Sequence, residues 1–410
     1  LPAKHPVTNE ELMLETLSMA TADPIIGLTE AFGKDSNPEK INLGVGVYKD
    51  ENGNTPVFAT VRDAQKRLLE AETTKNYAPI EGTAEFSRAV QGLLFGEDHE
   101  IVRTSRGATV QSPGGTGALR IAADFVHKLF PGTRVLISEP SWANHPKVFE
   151  AAGMDVATYP YFDSARNELD FSAMLNALKG LSEGDIVLLH GCCHNPTGVD
   201  PTEEEWRQIG DVVQDRGLIP LVDFAYQGLG EGIDADGVGL RELSRPGVEL
   251  FVASSFSKNF GLYNERVGAL TIVGESAEAA TTAMSHAKIC IRTNYSNPPA
   301  QGAALVTAIL EDAEQRARWE NEVSGMRDRI KEMRSLFVET LKKKGIERDF
   351  SFIARQRGMF SFSGLTSDHV ETLRSRYSIY VVASGRINVA GTTRDNMDHL
   401  CEAIADVLRD

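Results

Sequence analysis

The stretch Leu250-Phe251-Val252-Ala253-Ser254-Ser255-Phe256-Ser257-Lys258-Asn259-Phe260-Gly261 passes from an apolar run to a lysine set among hydroxyls, with Arg266 further on. The segment 250–253 reads as a buried strand, which puts Lys258 on the turn leaving its end. Open α/β sheets hold their ligands in loops at the carboxyl ends of parallel strands. A lysine amine in such a loop is a nucleophile toward carbonyl groups. Surface charge explains this lysine poorly. Ser255, Ser257 and Arg266 make a donor set suited to a phosphate.

Outward from this point, short apolar runs alternate with helical patterns from Val57 to about Met326, as βαβ units around a mainly parallel sheet require. Strands are expected at 134–137, 185–189, 219–222, 250–253 and 269–273. Pro220 donates no ladder hydrogen bond and is therefore assigned to the first residues of its strand. Trp319, Val323, Met326, Ile330, Met333 and Phe337 recur at steps of three and four, predicting one long amphipathic helix from Ala313 to Lys344 that bridges two domains. Beyond it, 350–353 and 359–362 read as strands of a smaller lobe, and 395–408 as a closing helix. The fold class expected is α/β, a large domain over 56–326 with a mainly parallel sheet flanked by helices. A smaller α+β domain is expected from 19–55 and 327–410, with residues 1–18 as an N-terminal arm or remnant.

At 410 residues the chain has room for two domains, and its 41% hydrophobic and 24% charged residues are a globular composition. No apolar run approaches the ~20 residues that cross a bilayer. A net charge of −16 argues against general affinity for nucleic acid or membrane surfaces, so any anion site must be local. Four cysteines are not a disulfide framework here. Cys192-Cys193-His194 suggests a metal cluster, but adjacent thiolates converge poorly on one ion and no second pair stands at zinc spacing. Small buried residues at a strand end are the better reading, and no metal is expected. Residues 1–18 show neither a secretory nor a transit pattern, and with reduced thiols this fits the cytoplasm.

Other strand ends carry groups suited to a pyridoxal site. Pro113-Gly114-Gly115-Thr116-Gly117 opens a helix whose N-terminal N–H groups could hold an anion, although many glycine turns are only turns. Asp223 closes a strand, where a carboxylate could keep a cofactor's pyridine nitrogen protonated; a helix N-cap is the bland alternative. Tyr226, and Asn195 in His194-Asn195-Pro196-Thr197-Gly198, could donate to a ring oxygen. Trp142 could stack on a ring face or simply fill core. Arg292 and Arg386 would suit a substrate with a carboxylate at each end, yet structural salt bridges explain most arginines in a chain with 58 acidic residues.

Residues 254 to 268, ending Leu262-Tyr263-Asn264-Glu265-Arg266-Val267-Gly268, resemble the cofactor-lysine signature of the aspartate aminotransferase family. These are pyridoxal 5'-phosphate enzymes of fold type I, and the resemblance runs from about Asp23 to the C-terminus. It implies that Lys258 holds the cofactor and carries protons, that Asp223 pairs with the pyridine nitrogen, and that Tyr226 and Asn195 meet the ring oxygen while Trp142 covers the ring. Gly115, Thr116, Ser255 and Arg266 would hold the phosphate, joined by Tyr77 of a neighbouring subunit. Gly46 and Arg386 would take the substrate α-carboxylate and the neighbour's Arg292 the distal one. The active sites of a homodimer would thus be shared. His145 and His190 match positions behind Asp223, and the bonds before Pro140 and Pro196 match the family's cis prolines. Many relatives carry Ser where this chain has Gly114, which removes one phosphate contact.

The reaction implied is reversible amino transfer from L-aspartate to 2-oxoglutarate, in two half-reactions with ping-pong kinetics. The nearest rival is an aromatic amino-acid aminotransferase with the same machinery. Val47, Lys49, Thr55, Asn76, Thr116 and Asn297 resemble the aspartate branch. A nicotinamide dehydrogenase fits the α/β alternation, but no Gly-x-Gly-x-x-Gly turn follows a first strand. A binding protein without turnover fits poorly with an intact Lys258, Asp223 and arginine pair.

Overall fold

The computed structural model describes residues 14–20 and 24–409. Of the arm expected over 1–18, only 14–18 fall within the described residues. Seven strands form one sheet in the order Gly107–Pro113, Val267–Val273, Leu250–Ser255, Ile219–Phe224, Ile186–His190, Arg134–Glu139, Asp155–Pro160. Neighbours run parallel except where Val267–Val273 is a partner. That one antiparallel strand begins where the parallel strands end. Val267 stands opposite Pro113 and Gly268 opposite Ser255, which brings Arg266 to the same edge as Lys258.

Helices cover both faces, so the central strands are apolar throughout rather than alternating. Ile186, Leu188, Leu221 and Phe251 pack on one side with the helix Gly114–Leu129, while Val187, Leu189, Val222 and Val252 pack on the other. Pro220 sits second in its strand, opposite Val187.

Two strands of this sheet escape a search for apolar runs. Gly107–Pro113 carries buried polar side chains that find partners across the sheet and beyond it. Thr109 and Thr271 share a 2.9 Å hydroxyl hydrogen bond, and Gln111 Nε2 donates to the Pro299 carbonyl at 2.7 Å. Asp155–Pro160 lies at the edge of the sheet and is only partly buried.

The long helix spans Ala313–Lys343, with Asp312 capping its start by accepting from the Glu314 and Gln315 N–H groups. Trp319, Val323, Met326 and Ile330 join the core of the sheet. Met333, Phe337 and Leu341, further along the same helix, join a separate cluster with Ile41, Leu43, Phe352, Ile387 and Leu400. The helix also reaches the Lys258 loop: Trp319 Nε1 donates to the Asn259 carbonyl at 2.7 Å and its ring stacks on Phe260 at 4.4 Å.

The expectation of a strand at 350–353 is overturned. Ser351–Arg355 is a short helix, opened by Asp349 accepting from the Ser351 N–H at 2.7 Å. An apolar run this short has no period of its own, and the turn chemistry of Asp349 decides it. Phe360–Phe362 is a strand, paired with Arg386–Asn388. No helix among the described residues is long and apolar enough to cross a membrane.

Candidate active site

A cavity of about 250 Å³ opens at the sheet edge where the parallel strands end. Its walls are Gly46, Gly115, Thr116, Leu119, Trp142, His190, Asn195, Asp223, Ala225, Tyr226, Ser255, Ser257, Lys258, Tyr263, Phe360, Arg266 and Arg386. The strand Gly107–Pro113 runs straight into the helix Gly114–Leu129, whose Pro113 N-cap supplies no side-chain cap. The orphan N–H groups of that first turn are therefore open to an anion. Beside them, the Arg266 guanidinium donates to Ser257 Oγ at 3.3 Å and to the Tyr263 carbonyl at 3.2 Å. Ser255 Oγ donates to Ser257 Oγ at 3.3 Å. Glycine is required for this closeness, because a Cβ on Gly268 would lie 2.7 Å from the Gly114 carbonyl oxygen.

Lys258 Nζ lies 4.7 Å from the centre of the Tyr226 ring. Burial pulls its pKa down to about 8; Asp223 opposes that change and Arg266 adds to it. Burial also presses Asp223 toward neutrality. The hydrogen bond to His145 Nε2, at 2.9 Å, and the Lys258 charge outweigh it, so its carboxyl is held below the usual range. His145 is itself oriented by Ser141 Oγ, 2.8 Å from Nδ1. The His190 ring lies 5.1 Å from His145 and 4.1 Å from His194. Burial drives its pKa down to about 3, so it is neutral at physiological pH. Burial raises the Tyr226 phenol, keeping it a proton donor.

At the other end of the cavity, Arg386 donates to the Gly44 carbonyl and, at 3.4 Å, to Asn195 Oδ1. Its guanidinium lies 4.2 Å from the centre of the Phe360 ring, and its Nε is buried without an acceptor. Three cationic side chains, Lys258, Arg266 and Arg386, thus face one carboxylate, Asp223. A cavity with that balance selects anionic ligands.

Most residues singled out in the sequence converge here; Tyr77 and Arg292 do not. Tyr77 is 91% exposed, and Arg292 is exposed in the last turn of the helix Ala277–Asn294, donating to Ser296 Oγ. Phe360 and Tyr263 are wall residues the sequence reading missed. Phe360 reads as ordinary strand core, while Tyr263 stood inside the quoted motif, where a polar aromatic so near Lys258 was a usable signal. Glu139-Pro140 and Asn195-Pro196 are both cis. Cys192 and Cys193 are free and buried.

The family model for aminotransferases of class I and II matches residues 38–404. The chain is 55% identical to an aspartate aminotransferase of Salmonella typhi, over 97% of this chain and all of that protein. It is 46% identical to an aromatic-amino-acid aminotransferase of Pseudomonas aeruginosa, over 95% of this chain and 97% of that one. Among solved structures, an aromatic-amino-acid aminotransferase from Burkholderia pseudomallei, covalently bound to pyridoxal phosphate, superposes with a TM-score of 0.94 at 50% identity, covering 97% of this chain and all of that one. With a lysine, an aspartate and a set of anion donors meeting at the edge of this sheet, the chain belongs to the class I and II aminotransferase family.

Proposed function

We propose that this chain transfers the amino group of L-aspartate to 2-oxoglutarate, giving oxaloacetate and L-glutamate, with pyridoxal 5'-phosphate as cofactor. The observation that carries this reading is the meeting of Lys258, Asp223, Arg266 and Arg386 around one small cavity. The donor set fits the cofactor. Gly115, Thr116, Ser255 and Arg266 would hold a phosphate dianion, with Ser257 behind them. Asp223, kept ionised by His145, would hold a proton on the ring nitrogen. Tyr226 and Asn195 would donate to the ring oxygen, and Trp142 would cover the ring face.

Pyridoxal phosphate, when bound, supplies an aldehyde that takes up an amine and a ring that draws electrons from the carbon bearing it. Lys258 would take the proton from the substrate α-carbon and would deliver it to the C4′ carbon of the cofactor. Its pKa of about 8 leaves a useful neutral fraction near neutral pH. Gly46 and Arg386 would hold the α-carboxylate. Alternating amino and keto acids on one site gives ping-pong kinetics.

Tyr77 and Arg292 are both exposed, and their segments are joined. Asn297 Nδ2 donates to the Ala78 carbonyl at 2.8 Å and Lys288 pairs with Glu81 at 2.8 Å, fastening segment 77–81 to the end of the Arg292 helix. We assign both residues to the cavity of a second copy in a homodimer, Tyr77 at the phosphate and Arg292 at the distal carboxylate. We divide the chain into a large domain, 56–326, and a small one, 19–55 with 327–410; the cluster joining Ile41 and Leu43 to Met333 and later residues supports this. Four free cysteines suit the cytoplasm, where we place the protein.

A second reading, amino transfer from aromatic amino acids, is favoured by the aromatic enzyme among the solved relatives. A panel of aspartate, glutamate, phenylalanine and tyrosine, with 2-oxoglutarate as acceptor, separates the two. Aspartate is expected to give the highest kcat/KM. A higher value for phenylalanine would replace the first reading with the second. Arg292→Ala should impair dicarboxylic substrates far more than aromatic ones. Borohydride reduction of the loaded protein followed by peptide mapping should place the cofactor on Lys258.

A further inference from the structure

We infer that Asn388 is a positioning residue for the substrate carboxylate, aiming the Gly46 N–H into the cavity; this rests on the assignment of Gly46 and Arg386 to the α-carboxylate. Arg386 and Asn388 are the first and last residues of one short strand, so their side chains leave its same face. Both reach the segment 43–47. Arg386 donates to the Gly44 carbonyl, and the Asn388 backbone N–H donates to the Leu43 carbonyl at 2.9 Å. The Asn388 side chain straddles Gly46. Its Nδ2 donates to the Val45 carbonyl at 2.7 Å and to the Val47 carbonyl at 2.8 Å. Both partners are acceptors, so the orientation of the amide is settled by them.

The Val47 N–H also returns to the Val45 carbonyl at 3.0 Å, closing a three-residue turn with Gly46 at its centre. In a trans peptide the C=O and the following N–H point in opposite directions. Holding the Val45 carbonyl on the Asn388 side therefore turns the Gly46 N–H to the other side. Gly46 lines the cavity, and among the described residues nothing accepts its N–H. Glycine suits this position because a Cβ there would stand 2.6 Å from Phe360 Cζ. Asn388 is buried, and its Oδ1 has no partner. The amide thus commits both donors to this one turn while its acceptor goes unmet.

The test is calorimetric titration of the holoenzyme with succinate, a dicarboxylate lacking an amine. Wild type is compared with Asn388→Leu, Asn388→Asp and, as reference, Arg386→Leu, alongside the cofactor dissociation constant of each. Asn388→Leu should weaken succinate about 10- to 100-fold, as expected when a fixed donor to a charged group is lost. Its aspartate KM should rise more than its kcat falls, and its cofactor affinity should stay within about twofold, since the phosphate cup lies elsewhere. Asn388→Asp should be worse, because it sets a carboxylate against two carbonyls. Should Asn388→Leu fold poorly, Asn388→Ser, which keeps one donor, should show an intermediate loss. Normal succinate binding in Asn388→Leu with impaired Arg386→Leu overturns this inference alone. Normal binding in both overturns the carboxylate assignment itself. Equal loss of cofactor and succinate affinity would mark Asn388 as merely structural.

Discussion

Arg334 and Arg386 are buried almost equally, 1% and 5% exposed, yet their surroundings differ in kind. Arg334, on the long helix, donates to the carbonyls of Ile353 at 2.9 Å, Gly358 at 2.7 Å, Phe360 at 2.7 Å and Arg357 at 3.2 Å, and to Ser361 Oγ at 2.5 Å. Burial lowers its pKa only to about 10, so it stays charged. It pins the loop before Phe360 with neutral acceptors. Arg386 has two acceptors where Arg334 has five, and it faces a cavity; the Nε is unmet in both. Burial does not separate a structural arginine from a binding one; the number of acceptors already in place does. A cation whose terminal nitrogens are taken up by fixed protein acceptors has little left for a ligand, and one whose terminal nitrogens are left half-met is held ready for an anion.

The largest effects should come from swapping this pair's roles by mutation. Arg334→Met strips several buried carbonyls of their donor and should cost about 3–5 kcal/mol of stability, read as a lower urea midpoint. Arg386→Met removes a poorly satisfied buried cation, so the midpoint should barely move. Its kcat/KM for aspartate should nevertheless fall by at least about 100-fold, as when one partner of a buried charge contact is lost. A stable but inactive Arg334→Met, or an unfolded Arg386→Met, would break the comparison.

The same distinction bounds what could be read in advance. Both arginines are plain letters in the chain; only Arg386 was singled out, as a match for a substrate carboxylate and from a resemblance. Lys258, Asp223 and Tyr226 were legible because parallel strands announce themselves as apolar runs and ligands gather at their ends, and Gly115 because a glycine-rich turn opens a helix. Arg334 was hidden because its main partners are carbonyls of a segment 19 to 26 residues away, and main-chain acceptors leave no mark in sequence. Gly107–Pro113 was hidden for a related reason: Thr109 and Gln111 satisfy each other's kind across elements, so the strand looks polar. Phe360 could not be told from core, since the cavity it borders is made by the meeting of distant segments.

Lys258 extends the comparison to a third buried cation, one that gains by losing its charge. Its pKa in the folded, cofactor-free protein is about 8, below the ordinary 10.5 of an unfolded lysine. Between those values the unfolded chain binds more protons, so stability rises with pH across the window and the penalty is full below about 8. At ~1.36 kcal/mol per pH unit that penalty comes to roughly 3 to 4 kcal/mol. Lys258→Met should therefore stabilise the cofactor-free protein near pH 7, and the advantage should fade as pH climbs toward 10.5. Urea titrations of both proteins across that range measure it. A variant less stable than wild type at neutral pH would mean the lysine is already compensated by a partner and is not poised as a base.

Arg266 sits between the two extremes, held by Ser257 Oγ and the Tyr263 carbonyl but not saturated. Its freedom depends on Gly114, which has φ +76° and whose missing Cβ would collide with the guanidinium. Gly114→Ser sets two effects against each other. A new hydroxyl near the phosphate cup offers about 1 kcal/mol of hydrogen bonding. Against it stand roughly 1 kcal/mol of left-handed backbone strain and the displacement of Arg266 from its seat. The displacement should tip the balance, so cofactor affinity should weaken, by less than about tenfold. Gly114→Ala carries the strain without the hydroxyl, and the difference between the two variants in cofactor dissociation constant isolates what the hydroxyl adds. Tighter binding in Gly114→Ser than in wild type would show that Arg266 gives way at little cost, which would set it apart from the pinned Arg334.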